Sequence, residues 1–236
     1  MKNILFVFLI SIFLVSCSSL ELDAASTSEE ETQRILAMGL SHEENLIEAS
    51  KLDSAHMVSV VTLQLINARD EKIQAEIDLV ASEEFANMVN VIGNSEFIGS
   101  ELKESKKTGI LETDIDFHNF HLEGLKDLNS GIIKHKLVLA ISYNAKNKRN
   151  YSSANLCDEW NRCDMNEQDI NVLSSSASNC TTASCDYKEV IELNLSNDFL
   201  RNVSYKGFTI SFSSKRKSNK IKVPKAYLMG YLKVAQ

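Results

Sequence analysis

Apolar and polar positions change their period several times along this chain. Ile4 to Val15 is continuously apolar apart from Ser11 and follows a single cation, Lys2. Ser18 to Ser28 is polar and acidic with no apolar period, the pattern of a flexible tether. Ser28-Glu29-Glu30-Glu31 then precedes Ile35, Leu36, Met38 and Leu40. A serine with glutamate three residues on is a capping box, in which each side chain satisfies the other's backbone donor. Ser41-His42-Glu43-Glu44 repeats it just past Gly39, so two short helices, or one kinked helix, are predicted to about Lys51.

Beyond that point the period becomes two. Ile73, Ala75, Ile77 and Leu79 alternate with Lys72, Gln74, Glu76 and Asp78, as in a strand with one wet face. Met57 to Ile66 is more uniformly apolar, and Asn67 to Asp70 supplies turn residues, so these two segments are predicted to form a hairpin. Ser82 to Ile92 reads as a short helix ended by Gly93-Asn94, and Glu96 to Lys103 as an edge strand. Ile110 to Phe120 and Ile132 to Tyr143 read as strands. The second puts Ile133, His135, Leu137, Leu139, Ile141 and Tyr143 on one face.

Tyr187 to Leu195 and Phe208 to Phe212 alternate again, and Lys215 to Lys220 reads as an exposed hairpin tip. Pro224 suits the start of a terminal helix over Lys225 to Val234, whose Tyr227, Leu228, Tyr231 and Leu232 stripe would dock on a sheet. The predicted fold class is mainly β with flanking helices (α+β). It consists of an antiparallel sheet of six to eight strands, sandwich-like, with N-terminal and C-terminal helices.

The first segment has the layout of a secretory signal peptide: one cation, an apolar run too short to span a bilayer, and an abrupt end. That end, Leu14-Val15-Ser16-Cys17, resembles the lipobox of bacterial lipoproteins, in which a branched apolar residue and two smaller ones precede a lipidated cysteine. The resemblance covers this leader alone. It implies a signal peptide over 1–16 and a lipidated Cys17 heading a flexible acidic tether over 17–28, while the periodicity of the remaining chain and its clustered cysteines give a single β-rich domain over 29–236 with a disulfide-braced loop at 150–186. Acyl chains bury methylenes at about 0.8 kcal/mol each, so the implied membrane attachment is permanent. Ser18, rather than Asp, beside the lipidated cysteine implies the outer membrane, without choosing its periplasmic or surface face.

Removing the leader takes away Lys2 and moves the formal charge from −7 to −8. So acidic an exported chain is not expected to bind nucleic acid. Four further cysteines, Cys157, Cys163, Cys180 and Cys185, lie in one polar stretch, and an even number in an oxidising compartment predicts two disulfides. Three pairings are open, and the short spacings favour the two local loops, Cys157–Cys163 and Cys180–Cys185. A zinc site would want a Cys-x2-Cys spacing, which is absent.

Candidate chemistry is sparse. Asp114, Asp116 and His118 share one face of a predicted strand, where two carboxylates and an imidazole can converge on a metal ion. A solvated strand face is the plainer reading. His121 belongs to the opposite face, and His135, on an apolar face, suits a hydrogen-bonded core residue. Asp164 to Asp169 fails as an EF-hand, because Asp169 stands where glycine is needed and Ser175 where a bidentate glutamate is needed. Nucleophile-elbow, zincin and P-loop strings are absent.

Trp160, the one tryptophan, sits between Cys157 and Cys163, where a rigid aromatic can serve recognition. Lys215, Arg216 and Lys217 offer a basic contact. These features favour a lipid-anchored cell-envelope protein that acts as a non-enzymatic binding or assembly module for an envelope protein or polymer, with no cofactor expected. Two alternatives stand beside it: an envelope hydrolase or metal-dependent enzyme using the Asp114, Asp116 and His118 face, and a carrier or sensor of a small apolar ligand.

Overall fold

The structure, a computed structural model, describes residues 27–107, 115–157, 163, 167–215 and 217–236. Residues 29–236, expected as one β-rich domain, fall into two compact units, Met1–Ile77 and Asp78–Gln236. The described part of the first unit is helical: α1 (27–37), α2 (His42–Ser50) and the beginning of α3 (Ala55–Asn87). The second capping box forms as its spacing requires. The Glu44 N–H donates to Ser41 Oγ at 3.3 Å, and the Ser41 N–H donates to Glu44 Oε2 at 2.9 Å. Ser28 differs, because it lies inside the first turn of α1 and is buried rather than capping it. Ile35, Ala49, Val61 and Leu65 form the small core of this unit, with Leu46, Leu52 and Met57 packed against them.

The hairpin expected over Met57 to Leu79 is replaced by α3, a single uninterrupted helix. Asn67-Ala68-Arg69-Asp70 contains neither Gly nor Pro, and no such breaker occurs anywhere from Ala55 to Asn87. Glu, Gln, Lys and Ala, which dominate the alternating segment, are strong helix formers. Ile66, Ile73 and Ile77 fit helical spacing as well as a period of two, and length decides for the helix.

The second unit begins in the last turns of α3 and, among the described residues, continues through eleven strands and two further helices. The strands are β1 (Asn90–Ile92), β2 (Glu96–Ile98), β3 (Leu102–Lys107), β4 (Ile115–Lys126), β5 (Ile133–Ala145), β6 (Ser153–Cys157), β7 (Gln168–Asp169), β8 (Asn171–Ser178), β9 (Cys185–Leu195), β10 (Phe208–Ser213) and β11 (Ser218–Val223). The helices are α4 (Asn197–Val203) and α5 (Lys225–Val234). The helix expected to start at Ser82 is the end of α3, and Val91 and Ile92 belong to a tight β1–β2 hairpin instead. The single edge strand expected from Glu96 to Lys103 is two strands, which pair one after the other along β4.

Among the described residues every strand pairing is antiparallel. One sheet has seven strands in the order β1-β2-β4-β5-β9-β8, with β3 also on β4, and the other has four in the order β11-β10-β6-β7. Residues of both sheets share one core: Phe120, Leu122, Leu137, Leu139, Ile141, Ile191 and Leu193 from the larger, and Ala154, Ile210, Phe212, Ile221 and Val223 from the smaller. The alternation read for β5 is the one observed, and full burial of each of its core leucines and isoleucines contributes roughly 1.5–3 kcal/mol.

The terminal helix covers Lys225–Val234 as expected, and Tyr227, Leu228 and Tyr231 complete the core. Between the segments of β4 that pair with β2 and β3, the Leu122 N–H has no strand partner and donates to Tyr227 Oη at 2.9 Å. Tyr231 Oη lies 2.9 Å from His135 Nδ1, so His135 is the hydrogen-bonded core residue that its apolar face suggested. Gly124 makes room for that phenol, since a Cβ there would lie 2.6 Å from Tyr231 Oη. Gly230 does the same for α3, where a Cβ would lie 2.4 Å from the Ser82 carbonyl oxygen and 2.7 Å from Phe85 Cβ.

Candidate functional site

Asp116 and His118 do not form a solvated strand face. Both are buried and point inward with Phe120 and Leu122, whereas Phe117 on the other face is exposed. Arg149, in the connection between β5 and β6, grips Asp116 with two parallel bonds, Nη1 to Oδ2 at 2.6 Å and Nη2 to Oδ1 at 2.8 Å. Asn219 on β11 donates from Nδ2 to Asp116 Oδ2 at 2.8 Å, and its Oδ1 accepts from the Tyr151 hydroxyl at 2.6 Å. The same Nδ2 lies 2.9 Å from His118 Nε2. An amide nitrogen only donates, so His118 Nε2 accepts and its proton sits on Nδ1.

A second layer surrounds this cluster. The Arg149 guanidinium lies over the Tyr143 ring, 3.9 Å from its centroid, and the Arg149 backbone N–H donates to Tyr143 Oη at 2.8 Å. The Tyr143 hydroxyl in turn donates to the buried Glu189 on β9. Lys148 Nζ stands 3.9 Å from Glu189 Oε2, and Lys217 Nζ stands 3.9 Å from Asp116 Oδ2. Strands of both sheets therefore meet in one polar network at the Asp116 end of the core.

Burial raises the Asp116 carboxyl, but the Arg149 guanidinium, Asn219 and Lys217 more than offset this and hold it below the ordinary aspartate range. Burial also lowers His118, against the upward pull of Asp116, so its imidazole is neutral near pH 7. Burial pushes Tyr151 up to about 12, and it raises Tyr143 further still. The Asp116–Arg149 pair is therefore flanked by neutral His118, Asn219, Tyr143 and Tyr151, with Glu189, Lys148 and Lys217 in the layer beyond. The network fixes the two sheets against each other and leaves Asp116 fully engaged by protein groups.

Of the proposed metal-binding set, Asp116 and His118 share Asn219, while Asp114 lies outside the described residues. Among the described residues no group of three or more His, Cys, Asp or Glu could hold a metal ion. His121 does belong to the opposite face, where it bonds Glu123 at 2.9 Å beside the Lys136 bridges to Glu123 and Glu192. The sequence reading missed Arg149, Tyr151, Asn219, Tyr143 and Glu189. The available signal was parity: positions 116 and 118 fall in step with Phe120 and Leu122, and Glu189 with Ile191 and Leu193.

The cysteines pair as two local loops, Cys157 with Cys163 and Cys180 with Cys185. Trp160 and Arg216 lie outside the described residues, as do Cys17 and the whole leader. Lys215 is exposed at the tip between β10 and β11, and Lys217 is drawn toward Asp116.

The braced segment also carries β8, whose eight residues are all exposed and which, among the described residues, pairs only with β9. Natural edge strands are blunted by charge, proline or shortness. Here β1 and β7 are very short, while β3 and β11 carry lysines. Asn171 to Ser178 has no charge, no Pro and no Gly, and its one irregularity is a shift between Val172 and Ser174. Val172 and Leu173 are 49 % and 51 % exposed, so this edge offers apolar contact beside the backbone groups that face away from β9.

No family model, curated protein or solved structure matches the chain. Among the described residues no helix is long and apolar enough to cross a membrane.

Proposed function

We propose that this chain is a lipid-anchored cell-envelope protein, held at the outer membrane through Cys17, whose β-rich unit binds an envelope partner without catalysis. The open edge of β8 carries the binding half of this reading. An extended segment laid along such an edge gains main-chain hydrogen bonds along its length, and side-chain contacts add selectivity. Of the two partner classes, this favours a protein with an extended segment over a polymer. The Cys180–Cys185 loop joins β8 to β9 and keeps the edge in register. Trp160, in the neighbouring Cys157–Cys163 loop, is a second point of contact. The anchor half rests on the lipobox resemblance of Leu14 to Cys17.

Two substitutions test the two halves separately. Cys17→Ser should abolish acylation and membrane fractionation, and a variant that still partitions with membranes refutes the anchor. Ser174→Lys with Ser176→Lys places two charges on the β8 edge without touching the core. Cross-linking pull-down from the native envelope should then lose the captured partner while the near-ultraviolet circular dichroism is unchanged. Undiminished capture removes β8 from the contact.

A further inference from the structure

The middle of α3 is unusual in its exposure. Val61 and Leu65 are buried in the core of the first unit, but Leu63, Ile73 and Ile77 are 59 %, 42 % and 55 % exposed. At 100° per residue, Leu63, Ile66, Asp70, Ile73 and Ile77 fall in one stripe on the far side of the helix from Val61 and Leu65. Their spacing of three, four, three and four residues is the a/d pattern of a coiled coil. A lone exposed helix gains nothing from isoleucines at these positions.

The charges beside the stripe choose its occupant. With Leu63 at a, residues 69 and 76 are successive g positions, Arg and Glu. Seven residues separate them by about 10.5 Å along the axis, too far to pair within the helix. Neither has an ion-pair partner among the described residues. A parallel copy would stack Asp70 on Asp70 in an a layer, two like charges taken out of water. An antiparallel copy that sets Ile66 against Ile77 and Asp70 against Ile73 avoids this, and it brings each Arg69 opposite the other chain's Glu76. Sliding that pairing by one heptad in either direction instead opposes Arg69 with Arg69 or Glu76 with Glu76. This one orientation and register pairs the g charges and avoids an Asp70–Asp70 layer, at the cost of setting each Asp70 opposite Ile73.

We infer that α3 is a self-association site, in which Ile66 to Ile77 pairs antiparallel with the same segment of a second copy about a two-fold axis. The contact is short, so the dimer is weak and concentration-dependent. The inference stands on the helix alone and is independent of the β8 contact and the anchor.

Sedimentation velocity over a range of concentrations tests it, on the full chain carrying Cys17→Ser so that this thiol cannot link copies. The otherwise native chain should move from monomer to dimer. Arg69→Glu or Glu76→Arg alone should weaken the dimer by about tenfold, because each sets like charges face to face twice. The double exchange Arg69→Glu with Glu76→Arg should restore it, an outcome that a general effect on folding would not produce. Helicity should be unchanged throughout, since both side chains are exposed. A chain that stays monomeric at every concentration overturns the inference and leaves the stripe to a helix of another protein. A dimer that tolerates both single reversals overturns the proposed register.

Discussion

Replacing Asp116 with Asn changes almost no volume and removes one charge from the interior. Arg149 now makes two bonds to that carboxylate, at 2.6 and 2.8 Å, and is only 8 % exposed, so solvent cannot compensate the orphaned guanidinium. One of its N–H groups would face the new amide's own donor. Breaking a buried pair by removing one partner costs about 3–5 kcal/mol, a large share of the roughly 5–15 kcal/mol that holds a domain folded. With a urea slope of about 2 kcal/mol per molar, the midpoint should fall by roughly 1.5–2.5 M. Trp160 fluorescence reports on the unit that contains the pair, and far-ultraviolet circular dichroism on the whole chain. Combining Asp116→Leu with Arg149→Met removes both charges together and should recover most of the loss, since apolar residues of similar size replace such pairs at little cost. A loss below about 1 kcal/mol for Asp116→Asn, or a double variant no more stable than the single one, refutes the buried-pair reasoning.

Three further outcomes follow from the packing and the titrating groups. Gly230→Ala should destabilise the second unit by about 1–3 kcal/mol despite alanine's better helix propensity, because its Cβ would meet backbone of α3; an unchanged melting temperature contradicts that close approach. The four cysteines from Cys157 to Cys185 should show no free thiols in denatured, unreduced protein, and removing either bridge should cost about 2 kcal/mol, as expected for loops closing separations of 6 and 5 residues. Burial holds His118 and His135 below 6.5, so the unfolded chain takes up protons that the folded chain refuses. Their stabilisation is complete above pH 6.5 and is lost as the pH falls from there toward the folded values, while Asp116, held below 3.8, adds its own loss only below 3.8. A urea midpoint that is flat on lowering the pH from 6.5 would contradict the buried neutral histidines.

The sequence revealed most where one side of an element is wet and the other dry. Strand β5 and helix α5 show clean periods, and their boundaries and buried faces match the expectation closely. The alternation of Lys72 to Leu79 misled because Ile73 and Ile77 fit a period of two as well as helical spacing, and the lack of breakers over a long stretch is what separates the two. Strand β8 went unseen because all its positions are exposed and it therefore has no dry face to leave a pattern. The polar network was half visible. Asp116 and His118 stood out as a pair, but local apolar neighbours Ile115 and Phe117 suggested the wrong dry face, and only parity with Phe120 and Leu122 corrects it. Arg149 and Asn219 lie 33 and 103 residues from Asp116, and pairing across such distances is a property of the fold rather than of any local spacing.

Binding along β8 is most directly tested by placing a photo-crosslinking residue at Ser175 in the lipidated protein within living cells, with Lys222 on β11 as the control position. A discrete cross-linked protein species from Ser175, absent from Lys222, is the predicted result. No adduct at Ser175, or equal adducts at both positions, would contradict partner binding along this edge.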